Sequence, residues 1–146
     1  MNKIDREEFE KHLVWAEAER LYLYKDSQGI YTIGVGHNIQ EKGISKRASR
    51  VILQDDIDEV FNDVRNLDYF AALDPVRQLV VADMVFNLGL TKFIRFVKLN
   101  AALAIHDYTL AAHEMIDSKW FRQTGRRARK LVRAMRTGEW KDARRT

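Results

Sequence analysis

The 146-residue chain has no cysteine, one proline and seven glycines. Without cysteine there is neither a disulfide nor a thiolate metal site, so the fold must be held by packing alone. So little proline and glycine, with no internal repeat and no low-complexity tract, argues for a compact chain without a linker. Nowhere do 18 uncharged apolar residues follow one another, and the stretch from Met1 to Glu8 has no apolar run of signal-peptide length. No His or acid cluster shows metal-ligand spacing, so neither a metal nor another cofactor is expected. At 46% apolar residues the length suffices for one well-buried core and is too short for two ordinary domains.

What is present centres on Ala16 to His37, AEAERLYLYKDSQGIYTIGVGH. The run starts in a helical pattern, turns to strand chemistry at about Leu21, reverses at Asp26-Ser27-Gln28-Gly29 and returns as Ile30-Tyr31-Thr32-Ile33. Such a β-hairpin puts Glu17 at the end of the preceding helix, Asp26 at the turn and Thr32 on the returning strand, facing one cleft. Two carboxyls at a cleft wall suit glycosidic bond cleavage. One must be protonated to donate to the leaving oxygen, and the other ionised to activate water or stabilise an oxocarbenium-like centre. Glu17, beside Ala18, Leu21 and the underside of the hairpin, is expected to be partly desolvated, and Asp26 at a solvated turn to be charged. Thr32 is expected to hold a water by its hydroxyl. A plainer reading, with a solvated helix acid, a turn former and a strand filler, also fits, and on spacing alone it stays ahead.

A resemblance reverses that order. Glu17, eight residues, Asp26, five residues, Thr32, then Ile33-Gly34-Val35-Gly36-His37 resembles, in register, the pattern of the T4-type phage lysozyme family, the muramidases of glycoside hydrolase family 24. Met84 to Gly89, Ser118 to Phe121, Gln123-Thr124 with Arg127-Ala128, and Arg136 to Trp140 look like later segments of the same family, in order. Almost the whole chain is covered.

The resemblance implies an α+β, mainly helical, lysozyme-like two-lobed fold, residues 1–146 forming one domain. A small β-hairpin lobe is expected over about 20–50, a long connecting helix over about 45–66, and a C-terminal helical bundle over about 67–146 that takes in the N-terminal helix. It implies hydrolysis of the β-1,4 bond between N-acetylmuramic acid and N-acetylglucosamine in bacterial peptidoglycan, with inversion. Glu17 would be the general acid, and Asp26 with Thr32 would direct the water. Substrate contacts are implied at Ile39, Phe86, Asn87 and Glu114, the last replacing a family Asn. Arg127 matches a position whose guanidinium reaches the catalytic Glu. His37 is read as structural, paired by analogy with Asp56, with Asp55 as the rival. Ala18 stands where the family has Gly. The implied setting is a monomeric endolysin made without a signal peptide in the host cytoplasm and released to the wall through a holin, with no nucleic acid partner. A catalytically silent wall-binding or nucleic-acid-binding module, and a tail-associated or toxin lysozyme, are the alternatives.

Along the chain, Asp5 with Glu8 reads as a capping box for a helix reaching Glu19. Ser45 caps Lys46 to Asn66, whose apolar set is Leu53, Ile57, Val60, Phe61, Val64 and Leu67, and whose acids Asp55, Asp56, Asp58 and Glu59 read as a solvated face. Asp74-Pro75 starts a helix closed by Gly89, expected to be the most buried of all. Lys92 to His106 reads as one helix packed through Phe93, Phe96, Val97, Ala101 and Ala104, and Asp107 opens another through Ile116. The last 29 residues hold eleven Lys or Arg against two acids, although the whole chain carries only +4. Trp120 and Trp140 there are expected in the core.

Overall fold

Capping chemistry sets most element boundaries in the computed structural model, which describes residues 3–140. The chain divides into Met1–Val51 and Ile52–Thr146. In the first unit, helix α1 (Arg6–Glu17) begins where the Asp5 carboxylate accepts from the amides of Glu7 at 2.9 Å and Glu8 at 3.2 Å. It stops two residues before the expected Glu19, because Ala18 takes φ 57° and turns the chain into strand β1 (Glu19–Lys25). Strand β2 (Tyr31–Val35) pairs with it antiparallel, Lys25 opposite Tyr31 and Tyr24 opposite Thr32. Arg20 next pairs with Gly34, so Leu21, Tyr22 and Leu23 stand against Ile33 alone. The surplus bulges outward and leaves all three exposed. Helix α2 (Ile39–Lys42) is capped by the Asn38 side chain. Thr32, 4% exposed, is the one buried residue described in this unit.

Helix α3 (Lys46–Val64) starts as expected, with Ser45 Oγ accepting from the Ala48 amide at 3.1 Å. Its last turn tightens into i→i−3 bonds, from Asn66 to Asp63 and from Leu67 to Val64, so the α-helix ends two residues short of Asn66. Val60, Val64 and Leu67 are buried, whereas Phe61 of the expected apolar set is exposed.

The second unit is a helical bundle. Helix α4 (Pro75–Leu88) has Asp74 as N-cap and Gly89 as C-cap, with φ 82°, its amide bonded to Val85 O at 2.7 Å. Helices α5 (Leu90–Phe93), α6 (Val97–Ala104), α7 (Tyr108–Ile116), α8 (Lys119–Thr124) and α9 (Arg126–Thr137) follow. The single helix expected over Lys92 to His106 is therefore two, broken at 94–96. The Asn100 side-chain amide donates to the carbonyls of Phe93 and Phe96 and stabilises that break. The break resets the helical phase, so Leu99, Ala102 and Leu103 are buried in place of the expected Val97, Ala101 and Ala104.

The core also corrects two other expectations. Helix α9 buries five side chains, Ala128, Leu131, Val132, Ala134 and Met135, against four on α4, because its many charges occupy only one face. Trp120 is buried as expected, but Trp140 is 39% exposed, with Lys130 Nζ 4.2 Å from its ring centroid. Phe93, Leu99, Leu103, Met115, Leu131 and Met135 are almost wholly removed from water. Each such side chain contributes roughly 1.5–3 kcal/mol of transfer free energy.

Arg77 fastens α4 to α9. Its Nε donates to Met135 O at 2.7 Å, Nη2 to Arg136 O at 3.2 Å and Nη1 to Asp74 at 2.9 Å, while the guanidinium stacks 3.8 Å from the Tyr108 ring centroid. The charge thus caps the carbonyl end of α9. Gly138 completes the fit, since a Cβ there would lie 2.9 Å from Arg77 Nη1. Burial raises the proton affinity of the Asp74 carboxyl, but its hydrogen bonds and charge contact with Arg77 outweigh that and leave it below its ordinary range. Elsewhere in the bundle, the Tyr69 hydroxyl donates to Asn100 Oδ1 at 2.5 Å, and burial pushes this phenol well above its usual range.

Candidate active site

The hairpin turn is built around the Asp26 carboxylate. The Asp26 amide donates to Ile30 O at 2.9 Å and closes it, and Gly29, with φ 79°, donates its amide to Asp26 O. Asp26 Oδ1 accepts from the amides of Gln28 at 2.8 Å and Ile30 at 2.9 Å. This Asx arrangement fixes the side chain and leaves Oδ2 without a hydrogen bond from any described residue. The Thr32 hydroxyl donates to Ile30 O at 2.9 Å. One peptide residue, Ile30, therefore tethers both side chains.

The Ile33-Gly34-Val35-Gly36-His37 loop closes on itself through reciprocal backbone bonds between Ile33 and His37, both 3.0 Å, with φ 69° at Gly34 and 61° at Gly36. Glycine adopts that conformation without strain. Gly36 has a second, more local constraint. A Cβ there would lie 2.8 Å from Glu17 Oε2 and 2.9 Å from Glu17 Cδ, so the Glu17 carboxyl rests directly on the Gly36 backbone. The structure thus brings the end of α1 onto the end of β2.

Glu17 is exposed, not partly desolvated as expected. The physical reason is the bulge: Leu21, one of the apolar neighbours expected to shield it, points into solvent and is 77% exposed. His37 places Nε2 2.6 Å from Gly43 O. A carbonyl only accepts, so this nitrogen carries hydrogen and donates to the backbone. Asp56 lies on α3, half-buried, beside the exposed Asp55. Ile39 opens α2 and is half-buried. In the second unit Phe86 and Asn87 are exposed in the last turn of α4, and Glu114 is half-buried on α7.

Arg127 was expected to address Glu17. Within its own unit the guanidinium grips Asp83, with Nε 3.0 Å and Nη2 2.8 Å from Oδ1. Asp83 was not among the residues singled out as functional. Its signal was visible as an acid interrupting an apolar helix, one turn before Asn87. Gln40 was also missed; its Oε1 accepts the Tyr31 amide at 3.0 Å and holds β2 against the start of α2. Among the described residues no group of three or more His, Cys, Asp or Glu is placed to hold a metal ion.

Comparison with known proteins gives the arrangement a context. The model of the family described as phage lysozyme matches residues 15–139. Two Dictyostelium discoideum proteins named probable T4-type lysozyme are similar over most of both chains. The first, numbered 2, is 27% identical over 89% of this chain and 94% of its own length, and the second, numbered 1, is 24% identical over 86% and 92%. The pre-baseplate central spike protein Gp5 of Enterobacteria phage T4 is 25% identical over 84% of this chain, which spans only 26% of that protein.

Proposed function

The chain belongs to the phage lysozyme family and is a lysozyme, and from that premise we propose that Glu17, Asp26 and Thr32 hydrolyse the β-1,4 bond between N-acetylmuramic acid and N-acetylglucosamine of peptidoglycan. The observation that carries the assignment is the pair of backbone tethers: Ile30 holds Asp26 and Thr32, and Gly36 seats Glu17.

Glu17 gives its proton to the leaving glycosidic oxygen. The Thr32 hydroxyl already donates to Ile30 O, so it meets water only as an acceptor. Asp26 Oδ2 is an acceptor as well. A water donating one hydrogen to each oxygen turns its lone pair outward, toward the anomeric carbon; attack on the face opposite the leaving group forms the new C–O bond as the glycosidic bond breaks, inverts the configuration and passes a proton of the water to Asp26 Oδ2. Phe86, Asn87, Ile39 and Glu114 contact the glycan, and His37 keeps the loop under Glu17 in shape through Gly43. The similarity to a spike protein supports a second setting, a lysozyme borne on a phage tail, beside the free endolysin that reaches the wall through a holin.

Glu17→Gln removes the proton and keeps the shape. The expected result is loss of turbidity clearing of peptidoglycan with an unchanged circular dichroism spectrum. Mass spectrometry of fragments from the wild-type digest should show N-acetylmuramic acid at the reducing end, and NMR of fresh product should show the α-anomer. Retained clearing by the Gln variant, or N-acetylglucosamine at the reducing end, defeats the assignment.

A further inference from the structure

We propose that the outer face of α9 is a docking stripe for a phosphodiester polymer of the bacterial envelope, separate from the residues that cleave the glycan. Helix α9 carries six basic residues and no acid. Two of them have local work: Arg127 binds Asp83 and Lys130 lies over Trp140. The other four, Arg126, Arg129, Arg133 and Arg136, are exposed, and their side chains take no ion pair with any described residue.

Their spacing of three, four and three residues puts them within about 80° of arc over about 15 Å of helix, roughly one charge every 5 Å. That density suits a linear chain of phosphates. All four are arginines, whose planar fork pairs with oxyanions through two parallel N–H donors. The opposite face, Ala128, Leu131, Val132, Ala134 and Met135, is committed to the core, so the helix has no apolar side to lay into a bilayer. No aromatic residue lies within the stripe to stack a base, and Trp140 is already covered by Lys130. A polyol-phosphate chain, which offers line charge without bases or acyl chains, is the partner this face fits. The inference rests on the lysozyme reading for placing the protein at the envelope, and concentrating the enzyme there would raise the local encounter rate with glycan.

The test measures retention of Glu17→Gln protein, and of the same protein with Arg126, Arg129, Arg133 and Arg136 all changed to Gln, on intact walls bearing polyol phosphate and on walls stripped of it by hydrofluoric acid. Retention on intact walls should fall tens-fold between 50 and 200 mM salt, as about four released counterions require. The quadruple change should abolish most of that dependence, and stripping should do the same. Clearing of stripped walls by protein with native Glu17 should be unaltered by the quadruple change. Equal retention on stripped walls, or an unchanged salt slope in the quadruple variant, overturns the proposal. So does tighter binding to duplex DNA or to anionic phospholipid vesicles than to the isolated polymer. Clearing by the Glu17→Gln protein would refute the catalytic assignment instead, and the retention results would still be readable.

Discussion

The two units of this protein are stabilised in different ways. Ile52–Thr146 removes some twenty side chains from water, whereas in Met1–Val51 only Thr32 is buried among the described residues. The hairpin unit relies on directional bonds that repeat over short sequence distances: Asp26 to Gln28 and Ile30, Thr32 to Ile30, Ile33 to His37, His37 to Gly43. Burial is proportional to area and insensitive to exact orientation, while a hydrogen bond aims a particular atom. The candidate catalytic groups sit in the unit where aim matters.

That contrast predicts opposite responses to substitution. Phe93→Ala empties a site with no solvent exposure and should cost about 3–5 kcal/mol, read as a lower denaturant midpoint, with activity per folded molecule unchanged. Gly36→Ala should do the reverse. Its methyl would press on the Glu17 carboxyl, and activity should fall on the order of 10²-fold with a much smaller change in stability. A Gly36→Ala enzyme as active as the wild type would break the comparison.

Arg77→Met tests the one place where the bundle depends on aimed bonds, and the loss of its carbonyl contacts with α9 should cost about 2–3 kcal/mol. The same variant carries a pH signature. Because Arg77 holds the folded Asp74 carboxyl below its ordinary value of 3.8, its contribution is complete above that value and is lost as pH falls through the depressed one. Acid unfolding of the wild type should therefore be steeper below about pH 4 than that of Arg77→Met. Tyr69 acts at the other end. Its folded value is raised by burial, so its contribution is complete below the ordinary 10.0 and fades as pH climbs above it. Tyr69→Phe should flatten the alkaline limb of a stability-versus-pH curve.

The smallest expected effect is a gain. Ala18 sits at φ 57° and ψ 136°, a conformation that disfavours a Cβ, immediately after the proposed general acid. Ala18→Gly should stabilise by about 0.5–1 kcal/mol, the relieved strain being partly offset by the larger entropy of glycine in the unfolded chain. A loss of stability would show that the strain is compensated by contacts the methyl makes.

The parts legible in the sequence share one property, short range. Asp5, Ser45, Asp74, Asp107 and the Asp26–Gly29 turn were readable because each side chain bonds to an amide two to four residues away. The helix over Lys92 to His106 misled for the same reason: its apolar periodicity continues through the break, while the Asn100 bonds that stabilise the break depend on a turn that periodicity does not reveal.

The sequence by itself determined where α1, α3, α4 and α7 begin, where the chain reverses, and that Glu17, Asp26 and Thr32 stand in the spacing of a family of muramidases. Tertiary structure alone decided that Arg127 belongs to Asp83, 44 residues away, that Arg77 caps α9, that Trp140 lies at the surface, and that a carboxyl rests on Gly36. A local bond is limited by chain geometry to a few candidate partners. A charged group on a helix surface meets whichever neighbour packing brings within reach, and that neighbour is set by the burial of side chains on other faces.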